Sequence, residues 1–532
     1  MKNLIYILLI VAVAGLTACE DFLEEIPKDS VSPANFYKNA DDAEVALAGA
    51  YAALNSGNGY YNRYWMNAST HASNVSYSRL GVTGDRGVII HLNDVGMVSN
   101  ARYVQDTWNA VWEAVNRANA VIDNVPAIDM DVDTQNRIIA EARFLRALHY
   151  FNMVRRWGGV PILRNETASS NILDLQVARN TADEVYDFII EDLTFALDNL
   201  PRIADTDPGR ASLEAAQSLR AKVAIYREDW ATAETFALAV INDSDRALLD
   251  DPYQLWLWSA SGSVDNTVES IFEVQYNSTQ THTIQNNFEP RNSGFGPGQW
   301  GTITASIKFY NKFDASDYRR DATFLLEWGS NDGGDSLVQW YEFEALAAPH
   351  IRKYRDADEQ IASQYNLRVI RLADIMLAAS EAINEQDGPT PQAYDYVNQV
   401  RDRANLGPLS GLTQDQLRDS IHAEIRKELC YEGQDFEELV RQSDDAADFI
   451  AEKLSYTDFV FGVDPLPPTF DDNGNPFTIT DPDIIFNIED DQPHSIDMEV
   501  DAHNMVFPIP QQALDQNPKL TQNPGYPGAS GE

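Results

Sequence analysis

Two apolar-periodic runs, Leu213 to Arg227 and Trp230 to Ile241, are separated by only Glu228 and Asp229. In the first, Leu219, Val223 and Tyr226 recur at steps of three and four; in the second, Trp230, Ala233, Ala237 and Val240 do the same. That spacing marks an amphipathic helix, and so short a link forces the two helices side by side. Arg368 to Asn384 and Pro391 to Ala404 repeat the arrangement around Gly388-Pro389. Thr181 to Leu200 carries Val185, Phe188, Ile189, Leu193, Ala196 and Leu197 on one side before Pro201. Glu141 to Arg155 aligns Phe144, Leu145, Leu148 and Phe151, and Gly158, Gly159 and Pro161 then stop the helix.

No single hairpin of this kind buries its own apolar face, so the units must stack. They resemble tetratricopeptide repeats, with irregular spacing and a loosely met consensus. The expected fold class is mainly α: tetratricopeptide-like hairpins in a short right-handed superhelical scaffold, with loop-rich insertions and a few short strands. The insertions are about 58–103, 251–354 and 456–500. The first two are rich in Gly, Asn, Ser and aromatics, with strand-like pieces such as Ser270 to Tyr276, and the third is crowded with Asp and Pro. Loops on a rigid scaffold are where binding residues gather.

The chain opens with Lys2 and then an apolar stretch, Leu4 to Leu16, too short for the ~20 residues a membrane-spanning helix needs. It reads as a signal peptide over residues 1–18, followed by Leu16-Thr17-Ala18-Cys19, a bacterial lipoprotein cleavage pattern. Lipidation of Cys19 would anchor the mature chain, with residues 19–30 as an acidic tether and 31–532 as one domain. With Cys19 acylated, Cys430 has no disulfide partner and reads as a small buried apolar group. The 82 acids against 39 Lys and Arg give a net charge of -43, which excludes nucleic acid as a partner and disfavours an anionic membrane surface.

Several blocks are similar to the SusD/RagB outer-membrane lipoproteins. They run from Cys19-Glu20-Asp21-Phe22-Leu23-Glu24 through WNAVWEAVNRANAVI at Trp108, EARFLRALHYFNMVRRWGGVPIL at Glu141 and Gly209-Arg210-Ala211. Glu269 to Glu273, NLRVIRLADIMLAASEAINE at Asn366, YVNQVRDRANL at Tyr396, EIRKELCYEGQ at Glu424, FPIP at Phe507 and QNPGY at Gln522 follow in family order. After the EGQ block the family often has an aromatic and an Arg or Trp, where this chain has Asp435, Phe436 and Glu437, a departure expected to affect packing more than binding. The resemblance implies a lipid-anchored protein on the outer face of the outer membrane. It would capture oligo- or polysaccharide and deliver it, without cleaving it, to a SusC-type TonB-dependent transporter.

Sugar rings offer apolar faces to aromatic platforms and hydroxyl edges to polar side chains. Five of the ten tryptophans lie between Trp256 and Trp340. Of these, Trp300, Trp328 and Trp340 are the candidate stacking platforms, while Trp256 and Trp258 lie close to the helical hairpin and read as packing residues. In the family the site also draws on the early insertion, so Tyr77, Arg79, Asp85 and Tyr103 are the candidates for edge contacts. The bulk charge points to a neutral glycan, which a local arginine patch would override.

No catalytic residue, cofactor or metal is expected. Gly296 to Gly301 satisfies GxGxxG but carries Pro297 and opens no helix, and in Asp471 to Pro482 prolines replace the glycine and the bidentate glutamate of a calcium loop. The closest histidines, His494 and His503, are nine apart. The rival readings are a surface glycoside hydrolase, which needs two carboxylates ~5 to 9.5 Å apart, and a protein-interaction scaffold.

Overall fold

The computed structural model describes residues 36–55, 57, 60–78, 98–167, 176–256, 265–290, 300–301, 303–329, 337–339, 349–355, 363–455, 469–470, 476–477 and 502–528. The helices are α1 (Ala40–Ala52), α2 (Arg63–Ala72), α3 (Arg102–Asn124), α4 (Val132–Trp157), α5 (Ala182–Asn199), α6 (Leu213–Tyr226) and α7 (Trp230–Asp243). After the second insertion come α8 (Leu372–Asp387), α9 (Pro391–Arg403), α10 (Gln414–Leu429), α11 (Asp435–Gln442) and α12 (Ala446–Ser455). Single turns of helix and short strands fill the described parts of the insertions. The chain is mainly helical, as its periodicity implied.

Most of the helices start where a side chain can satisfy a free N–H group, while α3, α8 and α11 lack such a cap. Thr181 and Glu184 form a capping box at α5, and Ser212, Asp229 and Thr390 cap α6, α7 and α9. At the other end of α4, Gly158 turns the chain at φ 70°, and a Cβ on Gly159 would overlap the Asn180 carbonyl. Neighbours in sequence pack side by side: α3 on α4, α4 on α5, and α6 on α7. Across the second insertion α8 returns to lie on α7 and continues against α9 and α10.

The stripe on α4 faces the core as expected, with Phe144, Leu145, Leu148 and Phe151 all buried. Phe144 meets Phe272 edge-on at 5.1 Å, which ties the helical layer to the strand Ser270–Val274. Each such side chain contributes about 1.5–3 kcal/mol on burial.

Two expectations change. Arg368 to Arg371 is not the first turn of a helix but most of a strand, β8 (Leu367–Arg371), antiparallel to β2 (Ser270–Val274). The run Arg368-Val369-Ile370-Arg371 sets two adjacent β-branched residues, which favour a strand, between two arginines that are both buried beside carboxylates. The first insertion, read as loop with short strands, contains α2. Every residue of that helix from Tyr64 to Ala72 is buried, so it shows none of the one-sided contrast that marked its neighbours. The remaining strands are β1 (Ser76–Ser78), β3 (Ile303–Ala305), β4 (Phe324–Leu325), β5 (Glu327–Gly329), β6 (Leu337–Gln339) and β7 (His350–Ile351). Four of them form an antiparallel sheet in the order β1-β3-β7-β4, which joins the first insertion to the second.

Buried ion pairs fasten the second insertion to the helices. Arg371 contacts Glu269 at 3.0 Å, Glu428 at 2.6 Å and Glu432 at 2.9 Å. Arg403 pairs with Glu269 and Glu428, Lys353 with Glu432 at 2.9 Å, and Arg319 with Asp317, Glu424 and Glu428.

Cys430 caps α10 and is buried; burial pushes its thiol up to about 12, so it is a packing group and not a nucleophile. Three residues on, Gly433 turns at φ 84°, where a Cβ would lie 2.5 Å from Met66 Sδ on α2. Gly433→Ala should therefore destabilise the chain by about 2 kcal/mol, read as a lower urea midpoint with an unchanged slope.

Candidate functional site

The C-terminal half of α2 is tied into the core from two sides. Ser69 donates its hydroxyl proton to Glu437 at 2.6 Å, and Arg156 of α4 donates to the other oxygen of that carboxylate at 2.6 and 2.9 Å. The Arg156 guanidinium also lies 3.6 Å over the Trp65 ring, and Thr70 donates to Asp435 at 3.1 Å. The N-terminal end is fixed by Asn62, whose Oδ1 accepts the Arg63 N–H at 2.6 Å and whose amide donates to the Gly57 carbonyl at 2.7 Å. Asn152 of α4 donates to the hydroxyls of Tyr60 and Tyr61, both at 2.8 Å.

On this support sits a cluster of rings and guanidinium groups. The Arg63 guanidinium lies 4.5 Å from the Tyr64 ring centre and 4.8 Å from that of Trp300, and it donates to the Tyr64 hydroxyl at 2.7 Å. Arg102 approaches the Tyr64 ring at 5.5 Å. Trp300 is half-buried, and its backbone N–H donates to the Asn286 carbonyl at 2.6 Å, just before β3. Asn67, one turn beyond Arg63, and Asn286 are both 0% exposed, with side-chain amides that meet no hydrogen-bond partner among the described residues.

Of the residues expected from sequence, Trp300 is therefore in the cluster. Tyr77 lies in β1, its backbone opposite Thr304 of β3, which brings its strand beside the strand that follows Trp300. Tyr103 is placed differently from the expectation that it contacts sugar edges: it is 3% exposed and packs edge-on against Tyr64 at 4.5 Å, underneath the surface. Its position at the start of α3, a helix buried along one face, accounts for this. Trp328 lies in β5 opposite Val338 of β6, in a two-stranded sheet separate from the one that contains β1 and β3. Arg79, Asp85, Trp340 and Cys19 lie outside the described residues, as do Trp258, most of the glycine motif at 296–301 and residues 471–475. Trp256 is buried against Tyr354, Tyr365 and Lys353, a packing residue as expected.

Sequence reasoning passed over Arg63 and Tyr64. The available signal was the run Tyr60-Tyr61-Asn62-Arg63-Tyr64-Trp65, where a single cation stands among four aromatics.

The helical layer carries a second concavity, about 460 Å³, lined by Tyr226, Trp230, Glu381, Arg418, His422 and Arg441 among others. Several of its charges are already matched: Arg441 meets Glu381 at 2.6 Å, His422 meets the same carboxylate at 3.0 Å, and Arg418 meets Glu385 at 2.5 Å. Among the described residues no group of three or more His, Cys, Asp or Glu is placed to hold a metal ion, and no helix is long and apolar enough to cross a membrane.

Two family models match adjacent stretches of the chain. One, described as "Starch-binding associating with outer membrane", covers residues 21–225, and the other, the "SusD family", covers 268–526. The chain belongs to the SusD family. It is 29% identical over 453 residues to SusD-like protein P2 of Formosa agariphila, covering 80% of this chain and 87% of that protein. A SusD-like protein of Bacteroides ovatus is 26% identical over 462 residues, covering 77% of this chain and 78% of the relative. Among solved structures, a SusD homolog from Bacteroides thetaiotaomicron superposes with a TM-score of 0.74 at 21% identity over 93% of this chain and 98% of the homolog. A laminarin-binding SusD-like protein gives 0.70 at 24% identity over 92% of this chain and all of that one. These structural likenesses establish the SusD fold, and the Arg63–Trp300 cluster lies on it where α2 and the β1-β3 edge meet.

Proposed function

We propose that this SusD-family chain is a glycan-binding lipoprotein of the outer cell surface and not an enzyme. It is anchored through Cys19, captures oligo- or polysaccharide, and passes it to a SusC-type TonB-dependent transporter. The observation that carries the reading is Trp300: a half-buried tryptophan with an arginine held against its ring. An indole presented in that way can cover the apolar face of a sugar ring, while the neighbouring guanidinium and amide groups take hydroxyl edges. Family membership supports the same reading, since the relatives include a protein named as laminarin-binding and one named as a carbohydrate-binding SusD-like protein. Trp328, Trp340, Tyr77, Arg79 and Asp85 remain part of the proposed contact set.

Native electrophoresis through gels containing candidate polysaccharides tests the proposal. A glycan that slows the wild-type protein should slow a Trp300→Ala variant far less, because loss of one stacked ring costs about 1–3 kcal/mol, about a fivefold to 150-fold loss of affinity. No retardation by any glycan of a broad panel would favour a protein-interaction scaffold instead. Release of reducing ends, lost on replacing one carboxylate, would favour a hydrolase.

A further inference from the structure

In a chain with 82 acids, most of the described arginines meet a carboxylate, although Arg155 and Arg179 bond only to hydroxyl, amide and carbonyl oxygens. Arg137, Arg146, Arg156, Arg319, Arg371 and Arg441 each meet at least one. Arg63 meets none among the described residues. Among the described residues its side chain donates only to the Tyr64 hydroxyl, and its buried Nε meets no partner. A guanidinium is a rigid fork of donors suited to carboxylate or sulfate oxygens, and leaving such donors unused in a partly buried position is costly.

The local sequence explains how the cation stays unpaired. Residues 45–84, which contain α2 and Arg63, include no Asp or Glu. Residues 274–313, which contain Asn286 and Trp300, include one acid, Glu289, and that carboxylate lies 3.5 Å from Arg355. The two segments that build the aromatic surface are thus nearly free of the negative charge that dominates the rest of the chain. A polyanion repelled by the bulk of the molecule would meet an exception at Arg63, whereas Arg102, the second guanidinium beside Tyr64, is already paired with Asp106 at 3.1 Å. The unpartnered amides of Asn67 and Asn286 add buried hydrogen-bonding capacity beside it.

We infer that Arg63 recognises a carboxylate or sulfate group on the saccharide that stacks on Trp300, so that the ligand class is an acidic glycan. This rests on the glycan-binding reading and replaces the neutral ligand suggested by overall charge.

The test uses the purified protein and matched polymers: dextran sulfate with dextran, polygalacturonate with its carboxyl-reduced form, and a carrageenan with its desulfated form, all in about 0.15 M salt. In at least one pair the acidic member should bind roughly tenfold more tightly than its neutral partner. Arg63→Gln should abolish that advantage, weakening the acidic member roughly tenfold more than its neutral partner, and Arg63→Lys should keep part of it. Retained neutral binding in both variants shows that the Trp300 surface is intact. If neutral members bind, are lost in Trp300→Ala, and no acidic member is preferred, the inference falls and the glycan-binding reading stands. A preference that survives Arg63→Gln also overturns it, because the attraction then lies elsewhere. If no member of any pair binds, both fail.

Discussion

Replacing Arg371 by methionine should cost the folded chain about 3–5 kcal/mol, whereas removing Arg227 should cost about 1 kcal/mol at most, although each arginine holds a carboxylate at 2.6 Å. The difference lies in the surroundings. Asp187, the partner of Arg227, has a side chain 71% exposed, so water and salt screen the pair. Arg371 is 2% exposed. Burial opposes its charge, yet Glu432, Glu428 and Glu269 hold the guanidinium well above its usual pKa. Burial would likewise raise Glu428, but Arg403, Arg371 and Arg319 hold it well below the ordinary carboxylate value. Methionine fills much of the same space and leaves three buried carboxylates short of a partner, and that uncompensated charge is the source of the loss. Urea unfolding of the two variants, followed by tryptophan fluorescence, measures both values. Equal small losses would show that the network contributes no more than a surface pair.

Asp435→Asn should stabilise the chain at pH 8 relative to the wild type, and the gain should fade as the pH falls. Burial pushes the Asp435 carboxyl up to about 7, against the hydrogen bonds from the Tyr431 N–H and the Thr70 hydroxyl that favour its charged form. In the unfolded chain the same group ionises near 3.8. Below that pH both states are protonated and Asp435 carries no penalty. Between about 4 and 7 the unfolded state loses its proton while the folded state keeps it, so stability falls as pH rises by about 1.4 kcal/mol per pH unit. Above about 7 the full penalty, about 4 kcal/mol, is present and constant. Asparagine still accepts from Tyr431 and can donate to Thr70, but it does not titrate. The measurement is the difference between variant and wild type in unfolding free energy at pH 4.5 and at pH 8, in which the remaining carboxylates cancel. A difference that does not change with pH would mean that Asp435 is ionised in the fold throughout.

Much of the helical layer was legible in the sequence because most of its helices bury one side and expose the other. Thr181 to Leu200 was bounded to within a residue, since Thr181 caps it and the chain leaves the helix before Pro201. α2 does place Tyr64, Ala68 and Ala72 at helical steps, but it is only ten residues long and lies in a segment whose Gly, Asn and Ser content reads as loop, and with α2 went Arg63 and Tyr64. Trp300 stood out as a candidate because it lies among several tryptophans of a loop-rich insertion, but its contact with Arg63 joins segments far apart in sequence. Tyr103 was misplaced because insertion composition says nothing about which way a ring at a helix start will turn. The ion pairs around Arg371 were out of reach for a different reason. Sequence gives charges but not their partners, and Glu269, Arg371 and Glu428 come from three distant parts of the chain.

The anchoring of α2 has a consequence for recognition. Arg63 and Tyr64 stand at one end of a helix whose other end is bolted to α4 through Ser69, Glu437 and Arg156, so these side chains start from a backbone with little room to wander. An incoming ligand surrenders its own freedom on docking, while the receptor surrenders little, and the entropic toll of association falls almost wholly on one party.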